Sequence, residues 1–139
     1  RDEQALLELA DLAKQRRLTN ISIQPVNLEQ EAIWTAGLDN EQYNDRYDGV
    51  VVFFYLYRPL FPALIRALKP GGVLIYETFL IDNHFHYQHP RRKEFCLEHN
   101  ELLRLARGLR VLHYEERQHE EGHGYSDKPF TARLIAQKG

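Results

Sequence analysis

At 139 residues the chain is long enough for one domain and too short for two. Its 18 basic and 20 acidic side chains nearly cancel, which argues against a generic polyanion-binding surface and so against a nucleic-acid partner. The 43% hydrophobic fraction, with seven Phe and eight Tyr, supplies a packed core and excludes global disorder.

Residues 2–17 carry a helical pattern, with Ala5, Leu6, Leu9, Ala10, Leu12 and Ala13 recurring on one face. Asp2 and Glu3 at its start, and Lys14, Arg16 and Arg17 at its end, oppose the helix dipole. Residues 21–26 alternate apolar and polar and predict a short strand, with Pro25 placing its end near an edge or a turn. Residues 27–44 are mostly polar and predict a loop with a short helix about 29–35. Residues 47–54 form a continuous apolar run, as a parallel strand covered on both faces requires. Residues 58–68 predict a helix with Pro59 in its first turn. Lys69-Pro70-Gly71-Gly72 stops it, and residues 73–76 predict a second buried strand.

Residues 78–100 read as a long polar, aromatic and His-rich connection. A helix over 100–107 follows, with Asn100 as its cap. Residues 110–116 and 130–137 predict strands, joined by a loop over 119–129. That connection is too short and polar for another crossover helix, so the last two strands pair antiparallel at a sheet edge. The alternation before them predicts a mostly parallel sheet with helices on both faces.

A single cysteine, Cys96, excludes an internal disulfide framework and fits a reducing, cytoplasmic setting. The longest strongly apolar run, residues 49–57, falls well short of the roughly 18 residues of a membrane span, so no membrane partner is expected. The chain holds no methionine and opens directly on a helix, which reads as a fragment.

Ligands of open α/β sheets bind at the carboxyl ends of the strands. At those ends a resemblance enters. Tyr47-Asp48-Gly49-Val50-Val51-Val52, then Leu56-Tyr57-Arg58, then Leu68-Lys69-Pro70-Gly71-Gly72-Val73-Leu74-Ile75 resembles part of the class I S-adenosylmethionine-dependent methyltransferases, namely their fourth strand, next helix and fifth strand. Tyr55-Leu56-Tyr57-Arg58-Pro59-Leu60-Phe61 and Tyr76-Glu77-Thr78-Phe79 are similar to small bacterial members of the tellurite-resistance kind. The resemblance implies an α/β, Rossmann-like, mostly parallel sheet with a C-terminal antiparallel strand pair. It takes residues 1–139 as a single, partial domain lacking the first strand-helix-strand. It also implies methyl transfer from S-adenosylmethionine to a small-molecule acceptor.

The family's usual contacts, carried over by position, imply Asn27 and Leu28 at the adenine and Val52 and Phe53 against the methionyl part. They imply Phe54, Tyr57 and Arg58 along the route to the acceptor, with Glu77 and Thr78 on the substrate side. No general base is identified; Glu77, His84 and His86 are candidates. The family's glycine-rich loop is absent: no G-x-G precedes Asn27, and Gly122-His123-Gly124 falls too late. A second copy, in a homo-oligomer, is one source of the missing strands. The rival reading is a non-catalytic Rossmann-like remnant acting as an interaction module. A nicotinamide-dependent oxidoreductase half is weaker.

Other motifs have plainer readings. His84, His86 and His89 fit no closed zinc spacing and read as solvated loop histidines, so no metal is expected. Pro90-Arg91-Arg92-Lys93 reads as a solvated turn, with contact to an anionic substrate as the alternative. Trp34 either covers the adenine or anchors a surface helix. Cys96 reads as an inert, semi-buried thiol.

Overall fold

The computed structural model describes residues 3–29, 44–122 and 126–139. Four strands form one sheet: β1 (Tyr47–Phe53), β2 (Leu68–Phe79), β3 (Arg110–Gln118) and β4 (Phe130–Gln137), in the order β1-β2-β4-β3. β1 and β2 are parallel, and their crossover is a 3-10 turn (Arg58–Leu60) running into helix α2 (Phe61–Ala67). β4 lies antiparallel to both β2 and β3, giving the C-terminal antiparallel pair expected of the fold. The α/β, Rossmann-like class is the one observed. Helix α1 (Glu3–Gln15) precedes the sheet, and α3 (Ile81–Tyr87) and α4 (Glu101–Leu105) follow β2.

Strand alternation decides which residues meet. Leu74, Tyr76 and Thr78 of β2 stand opposite Ala136, Leu134 and Ala132 of β4, on one face. Phe61 of α2 and Leu102 of α4 pack on that face, where Leu74, Leu102 and Leu134 are wholly buried. Each such side chain contributes about 1.5–3 kcal/mol by leaving water. Tyr76 is the largest; its ring lies 4.8 Å from that of Phe61 and its hydroxyl donates to the carbonyl of Tyr55.

Several expectations need correction. Residues 21–26 form no strand: a period-two pattern needs a neighbour's hydrogen-bond ladder, and none of the four strands pairs with it. β1 is covered on one face only among the described residues. Val50 and Val52 pack against the core, while Val51 and Phe53 are 56% and 54% exposed. α2 and α4 share the core face. The supposed polar connection after β2 contains α3 and runs close along the sheet. Leu97 bridges Leu80, its N–H donating to the carbonyl of Phe79 at 2.8 Å. Histidines at 84 and 86 masked the apolar spacing of Ile81 and Phe85. The expected helix about 29–35 and Trp34 lie outside the described residues, save Glu29.

α1 has the predicted dipole-opposing ends, Glu3 and Lys14, but buries only Ala13. No helix among the described residues is long and apolar enough to cross a membrane.

β2 starts five residues earlier than the apolar run suggested, because the Lys69–Gly72 turn is built into the strand as an irregularity opposite Tyr47 and Gly49. Gly71 has φ +85°, and a Cβ on Gly72 would lie 2.9 Å from the Lys69 carbonyl oxygen and 3.0 Å from that of Tyr47. Both obstacles are backbone. Gly72→Ala is therefore expected to destabilise the protein by about 1–3 kcal/mol, read as a lower urea midpoint.

Candidate functional site at the strand ends

β1 and β2 run parallel and end side by side, so their carboxyl ends open on the same edge. Phe54, one residue past β1, has φ +54° and donates its N–H to the carbonyl of Glu77 at 2.8 Å. A positive φ at a bulky residue is a genuine outlier, of the sort held in place only by its surroundings. It brings the Phe54 ring to 5.0 Å from that of Phe79, at the end of β2.

A cavity of about 270 Å³ opens here, lined by Glu29, Phe54, Tyr55, Thr78, Phe79 and Phe95 among others. Glu29 reaches it from the segment after residues 21–26. Its carboxylate accepts from the Tyr55 hydroxyl at 3.3 Å. Burial, together with the Glu29 charge, pushes the Tyr55 hydroxyl up to about 12, so it stays protonated as a donor at neutral pH. The Asn27 side-chain oxygen accepts from the Glu29 N–H at 3.1 Å, a local turn that aims Glu29.

The expected site residues divide into groups. Phe54 and Thr78 line the cavity. Val52 points to the core face and Phe53 to the open one, as alternation requires. Asn27 and Leu28 are exposed on the approach, and Tyr57 is half-buried at the start of the 3-10 turn.

Glu77 does not reach the cavity. Its side chain is 7% exposed and turned to β4. Oε2 accepts from the Thr131 hydroxyl at 2.7 Å and lies 3.1 Å from His119 Nε2; Oε1 accepts from Arg133 Nε at 3.1 Å. A carboxylate only accepts, so His119 Nε2 carries the hydrogen. Burial alone would raise the Glu77 carboxyl, but the Thr131 and Arg133 hydrogen bonds and the nearby positive charge hold it below the usual carboxylate range. A carboxylate so committed is a poor general base.

Arg58 is similarly occupied. It pairs through two nitrogens with Glu101, and donates to the carbonyls of Glu94 at 2.7 Å and Cys96 at 2.9 Å. Burial favours protonation of Glu101, yet the Arg58 hydrogen bond, the Glu98 N–H and the Arg58 charge keep its carboxyl low. Arg58 thus ties the loop after α3 to the start of α4. It also borders a separate open cleft of about 760 Å³ with Phe85, Lys93, Cys96 and His99. His99 pairs there with Asp82 at 2.5 Å, and that hydrogen bond raises its pKa. Burial pushes the Cys96 thiol up to about 11, which removes it as a nucleophile.

His84 and His86 take local contacts. His84 Nδ1 lies 2.7 Å from the Pro90 carbonyl oxygen, and the His86 ring packs edge-on against Tyr87 and Phe130. His89 lines the cavity wall.

Sequence reasoning missed Asn83, Thr131, Arg133 and His119 as the polar frame behind the strand ends. Asn83 gave no signal inside a polar stretch. Thr131 and Arg133 did leave one, as polar residues alternating with the apolar face of β4.

No protein-family model matches the chain, and no curated protein does. Solved structures do. TehB from Haemophilus influenzae aligns with a TM-score of 0.73 at 18% identity, covering 99% of this chain and 48% of its own. It is the counterpart of the expected tellurite-resistance likeness. A putative sarcosine dimethylglycine methyltransferase from Galdieria sulphuraria aligns at 0.68 and 12% identity, covering 96% and 66%. M. jannaschii TYW2 in complex with AdoMet aligns at 0.56 and 14% identity, covering 100% and 56%. The chain spans about half the length of TehB. Identities this low speak for architecture alone, and the architecture of this chain is the class I S-adenosylmethionine-dependent methyltransferase fold.

Proposed function

We propose that the chain is the C-terminal part of a cytoplasmic S-adenosylmethionine-dependent enzyme that methylates a small-molecule acceptor. The observation that carries this reading is the cavity at the paired carboxyl ends of β1 and β2, inside a methyltransferase fold.

The residues present fit one end of the cofactor. Exposed Leu28 and Phe53 offer apolar surface for the adenosyl and methionyl parts, and Asn27 offers its carboxamide. The 139 residues hold no glycine-rich strand-to-helix loop for the other end. S-adenosylmethionine, when bound, supplies an electrophilic methyl group on sulfur. The protein's own part is to align an acceptor with that group and to keep water out. Phe54, Phe79 and Thr78 form the wall suited to this task. In this reading Tyr57, Arg58 and Glu77 support the wall rather than touch the acceptor. Arg58 does so through the Glu94 and Cys96 carbonyls on either side of Phe95, and Glu77 through the carbonyl that accepts from the Phe54 N–H.

Isothermal titration with S-adenosylhomocysteine tests the reading. Micromolar binding that weakens in Phe53→Ala and Asn27→Ala is the expected result. Absence of binding in this chain and in a homo-oligomer of it would favour the second reading, a non-catalytic interaction module.

A further inference from the structure

We propose that the cavity beside Phe54 is a binding site for a small organic cation. The inference deepens the methyl-transfer reading by naming the charge class of its ligand, and it rests on that reading only for the ligand's role.

Four benzenoid rings line the cavity: Phe54, Tyr55, Phe79 and Phe95. The face of such a ring is the negative end of its quadrupole, and it attracts an ammonium or sulfonium group. Glu29 adds a carboxylate, and among the described residues no Lys or Arg lines the cavity, His89 being the one basic side chain there. Tyr55 holds the Glu29 carboxylate at the rim through its hydroxyl. A purely apolar ligand would gain nothing from that carboxylate, and an anion would be repelled by it. The volume of about 270 Å³ admits a small head group.

Phe54 is the second, independent observation. A left-handed backbone at a phenylalanine is costly, and glycine would serve the turn better. The strain is retained where it sets a ring against Phe79 at the cavity wall. Backbone economy alone would not select phenylalanine here.

Two sources supply such a cation: the sulfonium of the cofactor and an alkylammonium acceptor. The test uses choline and its neutral carbon isostere, 3,3-dimethylbutan-1-ol, titrated into the chain and followed by amide NMR shifts. Choline is expected to bind about tenfold more tightly than the isostere and to shift the amides of Phe54, Thr78 and Phe79. Glu29→Gln, an exposed change that leaves the core intact, is expected to remove most of that preference. Phe54→Leu should do the same. Equal affinity for choline and the isostere, or shifts confined to other surfaces, would overturn the proposal.

The source follows from competition. If choline and S-adenosylhomocysteine bind together, the cation is the acceptor's. If S-adenosylmethionine displaces choline while the neutral thioether does not, the cation is the sulfonium. Choline binding with no binding of either cofactor form would sink the methyl-transfer reading and leave the cation site standing. Cofactor binding without a choline preference would do the reverse.

Discussion

Asn83→Ala is expected to lower the stability of the protein by about 2–4 kcal/mol, the largest effect of any single polar substitution here. Asn83 is fully buried in α3. Its amide nitrogen donates to the His89 carbonyl at 2.6 Å and to the Ser126 hydroxyl at 2.8 Å. Its oxygen accepts from the Phe130 N–H at 2.9 Å. One side chain therefore joins α3, the loop after it and the start of β4. Alanine would take the partner from the buried Ser126 hydroxyl and from the half-buried His89 carbonyl and Phe130 N–H, and the cost of such groups exceeds the modest net gain of making the bonds.

Asn83→Asp separates this from simple loss of packing. Aspartate keeps the acceptor for Phe130 but faces the His89 carbonyl with an oxygen. Its loss of stability should match or exceed that of alanine at neutral pH. It should shrink at acid pH, where the protonated carboxyl can donate. The measurement is the urea midpoint at constant slope for each variant. A change below about 0.5 kcal/mol for alanine would place Asn83 among ordinary surface substitutions and refute the role.

Glu77→Gln should cost about 2 kcal/mol at neutral pH and flatten the acid side of the stability profile. Breaking a fully buried ion pair costs about 3–5 kcal/mol. Here His119 and Arg133 are 22% and 36% exposed, so water recovers part of that loss. The Glu77 carboxyl is lower in the folded protein than its ordinary value. Its contribution is therefore fully present above the unfolded carboxyl value of about 4.3, and is lost as pH falls through the lower folded value. Glutamine cannot titrate, so the variant should lose less stability over that acid range than the parent does. Equal acid slopes for parent and variant would show that Glu77 is not the group responsible.

Much of this arrangement was legible in the chain itself, and the limits have physical causes. The apolar runs at 47–54 and 73–76 found β1 and the heart of β2, because a strand with a buried face must carry its own hydrophobicity. The terminal strands were legible for the same reason, and so was the break near Gly71 and Gly72. The run at 47–54 overstated its burial, since periodicity reports what a strand can bury and not what covers it. The alternation at 21–26 failed differently. A lone period-two segment specifies a face but supplies no partner for its hydrogen bonds. At the site, Phe54 and Thr78 followed from their places after the strands. Glu29 did not, because it approaches from a segment far off in sequence.

The sequence by itself determined the class of the fold, the parallel crossover between β1 and β2 and the C-terminal antiparallel pair. These depend on local hydrophobic period and on connection length, both of which are written into short stretches of chain. Only the tertiary structure decided which polar side chains serve the frame and which face the cavity. Glu77 and Arg58 read as site residues, and each is committed to partners more than 40 positions away, Thr131 with Arg133 and Glu101. A charged side chain is claimed by whichever donors or acceptors the fold brings within about 3 Å, and no local pattern encodes that meeting.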